Sequence, residues 1–286
     1  MRNQLKTVVL LAALGGFLVF VGGLVGGTTG TLIGLGLGVA VVGWSYWASD
    51  RIAVRAAGAR QVAPGELDDL QADVATLAAR AGIATPRLFI SPDPQPNAFA
   101  TGRNERTAVV CVTAGLLDRL GRDEVRGVIA HEIAHIRHRD ILIGSVAAAV
   151  ATGISALANL ALFTGMFGGS SDDEDRANPL VLLLVSLLAP MAATVLQLAL
   201  SRSREFEADR LGAELLGDAR PLASALQQLE RDSRRIPMHV TPAQAAAFIV
   251  NPLTGRKVQF ARLFLTHPPT EERIERLLAH PIGAGR

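Results

Sequence analysis

The chain has 286 residues and a single cysteine, Cys111. That count excludes an internal disulfide framework and any multi-cysteine metal knuckle. Inside the apolar alternating run "TAVVCVT" the lone thiol reads as a small core residue. Charge is also scarce. Asp, Glu, Lys and Arg supply 19% of the residues, against about 25% in an ordinary soluble domain, and the mean hydropathy is +0.31. A formal charge of +2, with no basic stripe interleaved with aromatics, argues against a nucleic-acid partner. There is no internal repeat, and no low-complexity tract beyond a glycine-rich stretch near the N-terminus.

The missing charge is concentrated. Residues 7–49 contain no Asp, Glu, Lys or Arg. One straight helix of that length, at about 1.5 Å per residue, would be roughly twice the hydrocarbon thickness of a bilayer. The run "GGTTGT" (26–31) is a natural turn near the middle. The stretch therefore predicts two membrane helices, about 7–26 and 31–48, with Trp44, Tyr46 and Trp47 at headgroup level. The alternative, a cleaved signal peptide with Arg2 and Lys6 as its basic start, is disfavoured by the length of the run and by the second span that follows it. Two further charge-free stretches, 141–171 and 177–201, predict a second membrane hairpin. Pro190 kinks its second arm, tolerably where neighbouring helices re-satisfy the backbone.

The flanks set the orientation. Arg2 and Lys6 precede the first span; Arg51, Arg55 and Arg60 follow the second. Arg137 and Arg139 precede the third; Arg202, Arg204 and Arg210 follow the fourth. The connection "SSDDEDRAN" between the last two holds four acids and one arginine. With four spans all the basic flanks lie on one side, which the positive-inside rule makes cytoplasmic. The organisation expected is a membrane hairpin at 1–49, a first cytoplasmic part at 50–140, a second hairpin at 141–201 and a second cytoplasmic part at 202–286.

In the first cytoplasmic part, 64–83 carries helical spacing, while "RLFI" (87–90), "NAFATG" (97–102) and "TAVVCVT" (107–113) read as short strands, the middle one at an edge. The second part reads as helices at about 202–216, 220–234 and 270–279.

"HEIAH" (131–135) supplies the chemistry. On a helix His131 and His135 lie one turn apart on the same face and reach one ion, while Glu132 leans over an open coordination position. A hydrolytic zinc site needs that pair, a third protein ligand and a water whose pKa the metal lowers. Glu132 then takes the water's proton and hands one to the leaving amine. Glu205 and Asp209 share a helix face at i, i+4, so one carboxylate can bind metal while the other orients a histidine. The second hairpin brings the two halves together, because its arms end beside each other. Glu207 faces elsewhere. His138 has the wrong spacing, and His239 and His280 belong to no pattern. Asp140 reads either as support for a ligand or as a charge at the membrane interface.

"HEIAH" before an apolar hairpin, "SREFEADRLGA" after it and "THPPTEERIERL" near the C-terminus resemble the HtpX-type membrane zinc metalloproteases, relatives of the CAAX prenyl proteases. The likeness runs in order along nearly the whole chain. It implies a mainly α membrane protein of four transmembrane helices with a cytoplasmic α+β, gluzincin-like zinc protease domain around a small sheet. It implies one Zn2+ per chain held by His131, His135 and Glu205, with Glu132 as base and Asp209 behind a ligand. It further implies an edge strand, Asn97, Ala98, Phe99 and Ala100, on which an extended substrate lies by β-augmentation, and His267 and Arg273 near the metal as oxyanion support. His267 reads equally as helix-entry chemistry ahead of a Thr270 N-cap.

The expectation is thus a multi-pass endopeptidase of the cell inner membrane, with both termini and the active site cytoplasmic. Its partners are membrane lipids and misfolded or damaged membrane proteins, in a stress-response, quality-control role. A site within the bilayer is disfavoured because Asp123, Glu124, Arg126, Arg137 and Arg139 surround the histidines. CAAX-type processing and an inactive zinc scaffold remain the alternatives; a scaffold gives Glu132 no role.

Overall fold

The computed structural model describes residues 2–142, 144, 202–238, 240, 245, 247–252 and 268–279. The expected third and fourth spans fall outside these residues except at 141, 142 and 144, as do their acidic connection and His239, His267 and His280.

Helical backbone runs from Arg2 to Ala56 (α1), yet it doubles back. Gly27 has φ +56, a left-handed conformation that glycine adopts without a Cβ penalty. A Cβ built on Gly38 would lie 3.4 Å from the Gly15 Cα. Two residues that far apart on a straight helix would be separated by about 35 Å, so α1 is a hairpin turned at Gly27, inside the expected "GGTTGT". Among the described residues no helix is long and apolar enough to cross a membrane; many of α1's side chains lie outside the description. Those described are unusual for a water-facing surface: of nine exposed large apolar side chains, seven (Phe20, Leu32, Ile33, Leu35, Val39, Trp44 and Trp47) are on α1.

After α1 come β1 (Arg60–Gln61), α2 (Asp68–Ala81), β2 (Arg87–Ser91), β3 (Ala98–Thr101), β4 (Val109–Thr113), α3 (Ala114–Arg119) and α4 (Arg122–Arg137). Beyond residue 201 follow α5 (Arg202–Leu216), α6 (Arg220–Ser233) and α7 (Thr270–Ala279). The sheet is mixed, in the order β1-β2-β4-β3. β2 and β4 are parallel, β3 pairs antiparallel with β4, and β1 antiparallel with β2. β3 is thus an edge, as expected. α2 starts later than the sequence pattern suggests because Gly65 and Leu67 have φ of 81 and 53, which breaks the helical path.

α4 is the central element. Val125, Val128, Ile129, Ala130, Ile133, Ala134 and Ile136 are all buried, so the middle of the helix is enclosed on every side, while Arg122, Asp123 and Arg137 at its two ends stay exposed. α6 closes one flank with Leu222, Ala225, Leu226 and Leu229, at i, i+3, i+4, i+7 spacing. Glycines allow the helices to approach. A Cβ on Gly127 would meet the Leu222 backbone nitrogen at 2.8 Å, and one on Gly212 the His131 backbone nitrogen at 3.1 Å. Gly127→Ala is therefore expected to destabilise by about 1–3 kcal/mol through overpacking, despite alanine's better helix propensity. An unchanged or raised melting temperature of the purified protein would refute this.

Candidate metal centre

Three helices far apart in sequence converge on one point. α4 opens with the Glu124 carboxylate accepting the Gly121 N–H at 2.9 Å. Two turns further on, His131 is fully buried and Glu132 is 2% exposed. α5 crosses α4 at Gly212, and its first turns bring Glu205 and Asp209, both buried, against the histidines.

The spacing fits a small ion. His131 Nε2 and His135 Nε2 are 3.1 Å apart. Glu205 Oε2 lies 3.8 Å from His131 Nε2, and Glu205 Oε1 3.6 Å from His135 Nε2. Tetrahedral ligands at zinc distances of about 2.0–2.1 Å sit roughly 3.3 Å from one another, and two imidazoles plus a carboxylate form a catalytic zinc set with one position open. His131, His135 and Glu205 can hold the ion together; among the described residues no other such group is found.

Each histidine has a carboxylate behind it. His131 Nδ1 is 2.9 Å from Asp209 Oδ1, and His135 Nδ1 is 3.1 Å from Asp140 Oδ2. Both Nδ1 atoms are thereby taken and both Nε2 atoms face the shared point, the arrangement that fixes tautomer and ring orientation in metal sites. Asp140 is 7% exposed, so of its two sequence readings the structure favours support for a ligand. His138, half-buried at the C-terminal end of α4, is not in the group.

Arg273 comes from α7 and is 1% exposed. Its Nε and Nη2 donate to the two oxygens of Asp209 at 2.8 and 2.7 Å, and its Nη1 donates to the Ile249 carbonyl at 2.8 Å. The resemblance implied oxyanion support near the metal; in the structure the guanidinium braces Asp209 with its fork, and its Nη1 lies 3.8 Å from Glu205 Oε2. No local pattern predicts it, because the two residues lie 64 positions apart.

Electrostatics follow from burial. Desolvation pushes the Glu132 carboxyl up to about 7, against the charge of His135 and a backbone hydrogen bond from Ala100. Burial pulls His131 down to about 4 despite Asp209. It works the same way on His135, but the hydrogen bond to Asp140 and the charge of Glu205 win and hold that imidazole at about 9. Asp209 stays below the usual carboxylate range although buried, because Arg273 faces it. Burial, and then the Glu132 charge, lift Cys111 to about 12; this thiol is an inert core group, as its setting in the sequence implies.

A ligand imidazole must lose its proton to bind metal. With His135 near 9, adding zinc to chelator-stripped protein at pH 7 is expected to release about one proton, plus the fraction held on Glu132. Because protons compete, affinity should rise with pH, about tenfold per unit from pH 7 towards 9. Titration calorimetry in buffers of different ionisation enthalpy measures the release; no buffer dependence would contradict the protonated His135.

Two histidines one helical turn apart, a glutamate from a second helix and a buried carboxylic acid beside them define a metallohydrolase. The comparisons make the class specific. The model of peptidase family M48 matches residues 64–280. A protease HtpX homologue of Desulfatibacillum aliphaticivorans is 45% identical, over 100% of this chain and 92% of its own. One of Pelotomaculum thermopropionicum is 46% identical, over 98% and 100%. The crystal structure of S. mikatae Ste24p is similar in fold, with a TM-score of 0.52 at 22% identity, covering 96% of this chain; this chain spans 65% of that one. The chain belongs to peptidase family M48. It is a zinc metallopeptidase homologous to the HtpX proteases, with His131, His135 and Glu205 in place.

Proposed function

We propose that the protein is a membrane-anchored endopeptidase, with one zinc ion per chain, that cleaves unfolded or damaged membrane proteins at the cytoplasmic face of the inner membrane. The observation that carries this reading is the site itself: His131, His135 and Glu205 around one point, with the Glu132 carboxyl buried beside it. Zinc at that point supplies Lewis acidity, polarising a scissile carbonyl and lowering the pKa of water. Glu132 takes the proton from the attacking water and later delivers it to the leaving amine. Asp209 and Asp140 hold the two imidazoles with Nε2 directed inward, and Arg273 keeps Asp209 ionised.

The membrane part of the proposal rests on the charge-free stretches of the sequence, on the basic flanks and on the outward apolar surface of α1. Exposed apolar side chains in such number mark a surface meant for contact, and on a hairpin of this composition the contact is with lipid. The histidine helix begins and ends in charge, so the site belongs at the interface, where water reaches the metal and membrane substrates arrive laterally. The likeness to Ste24p is one of fold and adds nothing to the CAAX alternative.

The test is cleavage by detergent-purified, zinc-loaded protein of casein, of an unfolded membrane protein and of a prenylated CAAX peptide. Chelator-sensitive cleavage of the first two alone is expected. Cleavage of the prenylated peptide alone would replace quality control with processing.

A further inference from the structure

β3 is the edge beside the site, and antiparallel pairing alternates which residues bond to the neighbouring strand. Thr113 N–H donates to Asn97 carbonyl at 3.0 Å, so with the register Ala98↔Val112 and Ala100↔Val110 the N–H and C=O groups of Ala98 and Ala100 point outward. These are the groups an added strand would use. Three of the four are engaged from within the chain. Ala98 N–H donates to Asn97 Oδ1 at 3.1 Å, Ala100 N–H to the Glu132 carboxylate, and Ala98 carbonyl accepts the Ile249 N–H at 3.0 Å.

That last bond belongs to a wider set. Asn97 Nδ2 donates to the Val250 carbonyl at 2.9 Å, Gln95 Nε2 to the Pro252 carbonyl at 3.3 Å, and Arg273 Nη1 to the Ile249 carbonyl. The Phe248 ring stands edge-on to Phe99, centroids 5.1 Å apart, and Phe248, Ile249 and Val250 are each under 5% exposed. The segment is bent backbone rather than strand, so it makes one main-chain bond to β3 and relies on side chains for the rest. Ala98 carbonyl and the Asn97 amide are groups that an incoming peptide backbone can satisfy equally well. Displacement exchanges hydrogen bonds instead of losing them, and an unmet buried partner is the costly outcome.

From this geometry we infer that residues 248–250 are an internal occupant of the peptide-binding edge of β3, and that the site accepts extended peptides with bulky apolar side chains in their place. This deepens the proposed protease reading and rests on it. Such peptides are what an unfolded core or a melted apolar helix exposes, whereas folded proteins do not offer them. The occupant is also wired to the metal ligands: Ile249 holds Arg273, Arg273 holds Asp209 and Asp209 holds His131.

The experiment uses the full chain as Glu132→Gln, loaded with zinc in detergent, and a peptide of the segment's own sequence, "AAAFIVNPL" (245–253). Hydrogen exchange at Ile249 and Val250 is expected to accelerate at least about tenfold, by loss of the native hydrogen bond, when the peptide saturates. A polar peptide of equal length should leave it unchanged. Binding without loss of protection, or no binding, overturns the inference. In the wild type, Phe248→Ala removes the ring that stands edge-on to Phe99 and should lower KM for an apolar peptide about two- to tenfold at unchanged kcat, the value of one aromatic pair. Phe248→Leu serves if that variant does not fold. A fall in kcat with a lower melting temperature would make the segment a structural prop and refute the inference. Because exchange requires no turnover, failure of the peptidase reading shows separately, as absence of cleavage by the wild type.

Discussion

Glu132→Gln is expected to lower kcat for peptide hydrolysis by about 10²–10⁴-fold, the usual worth of a positioned general base, while leaving zinc content unchanged. The side chain is 2% exposed and is not one of the three residues that surround the metal point. Glutamine keeps its volume and can still accept from the Ala100 N–H; what disappears is the proton acceptor. The carboxyl, pushed to about 7 by burial, has the proton affinity that suits a base working near neutral pH. Metal analysis beside steady-state kinetics measures both halves of the expectation. Equal activity in the two proteins would assign the base elsewhere, and loss of zinc would make Glu132 a structural group.

Arg273→Met should be as damaging by a different route. Asp209 is 2% exposed and Arg273 1%, so the substitution strands a buried carboxylate. Breaking a buried pair from one side costs about 3–5 kcal/mol, far more than a surface salt bridge contributes. Stranding also removes support from His131, and such second partners are worth about 10–100-fold in metal affinity. Arg273→Lys keeps the charge but loses the two-pronged fit to both Asp209 oxygens and should recover only part of each loss. Adding Asp209→Asn to Arg273→Met should restore part of the stability, since Asp209 no longer carries a stranded charge although Glu205 still loses the cation 3.8 Å away, without restoring zinc affinity. If the single and double variants bind zinc as the wild type does, the brace is irrelevant to the metal.

Local signals were the legible ones. The span of α7 is set by its amphipathic repeat, and that of α5 by a charged face turned away from the core. The metal residues follow from one-turn spacing on α4 and from a topological argument about where the second hairpin must end. Short pieces escaped: α3 has six residues and β1 two, too few for a period. The bracing of Asp209 by Arg273, and the choice between two readings of Asp140, needed three-dimensional partners. The segment around Ile249 gave no sign at all, because what holds it is a set of hydrogen bonds from residues more than 20 positions away. Spacing along a chain reports what a helix or strand brings together; it does not report who completes a hydrogen bond across the fold.

The order of the brace along the chain has a bearing on biosynthesis. His131, Glu132, His135 and Glu205 all leave the ribosome before Arg273, the last of them 68 residues ahead of it. A growing chain therefore has its ligands and base well before it has the cation that steadies Asp209. Until α7 arrives, the aspartate must stay hydrated or protonated, and His131 lacks its oriented support. Chains that stop short of Arg273 should thus be poor zinc binders and poor peptidases, although all three metal ligands and the base are already present in them.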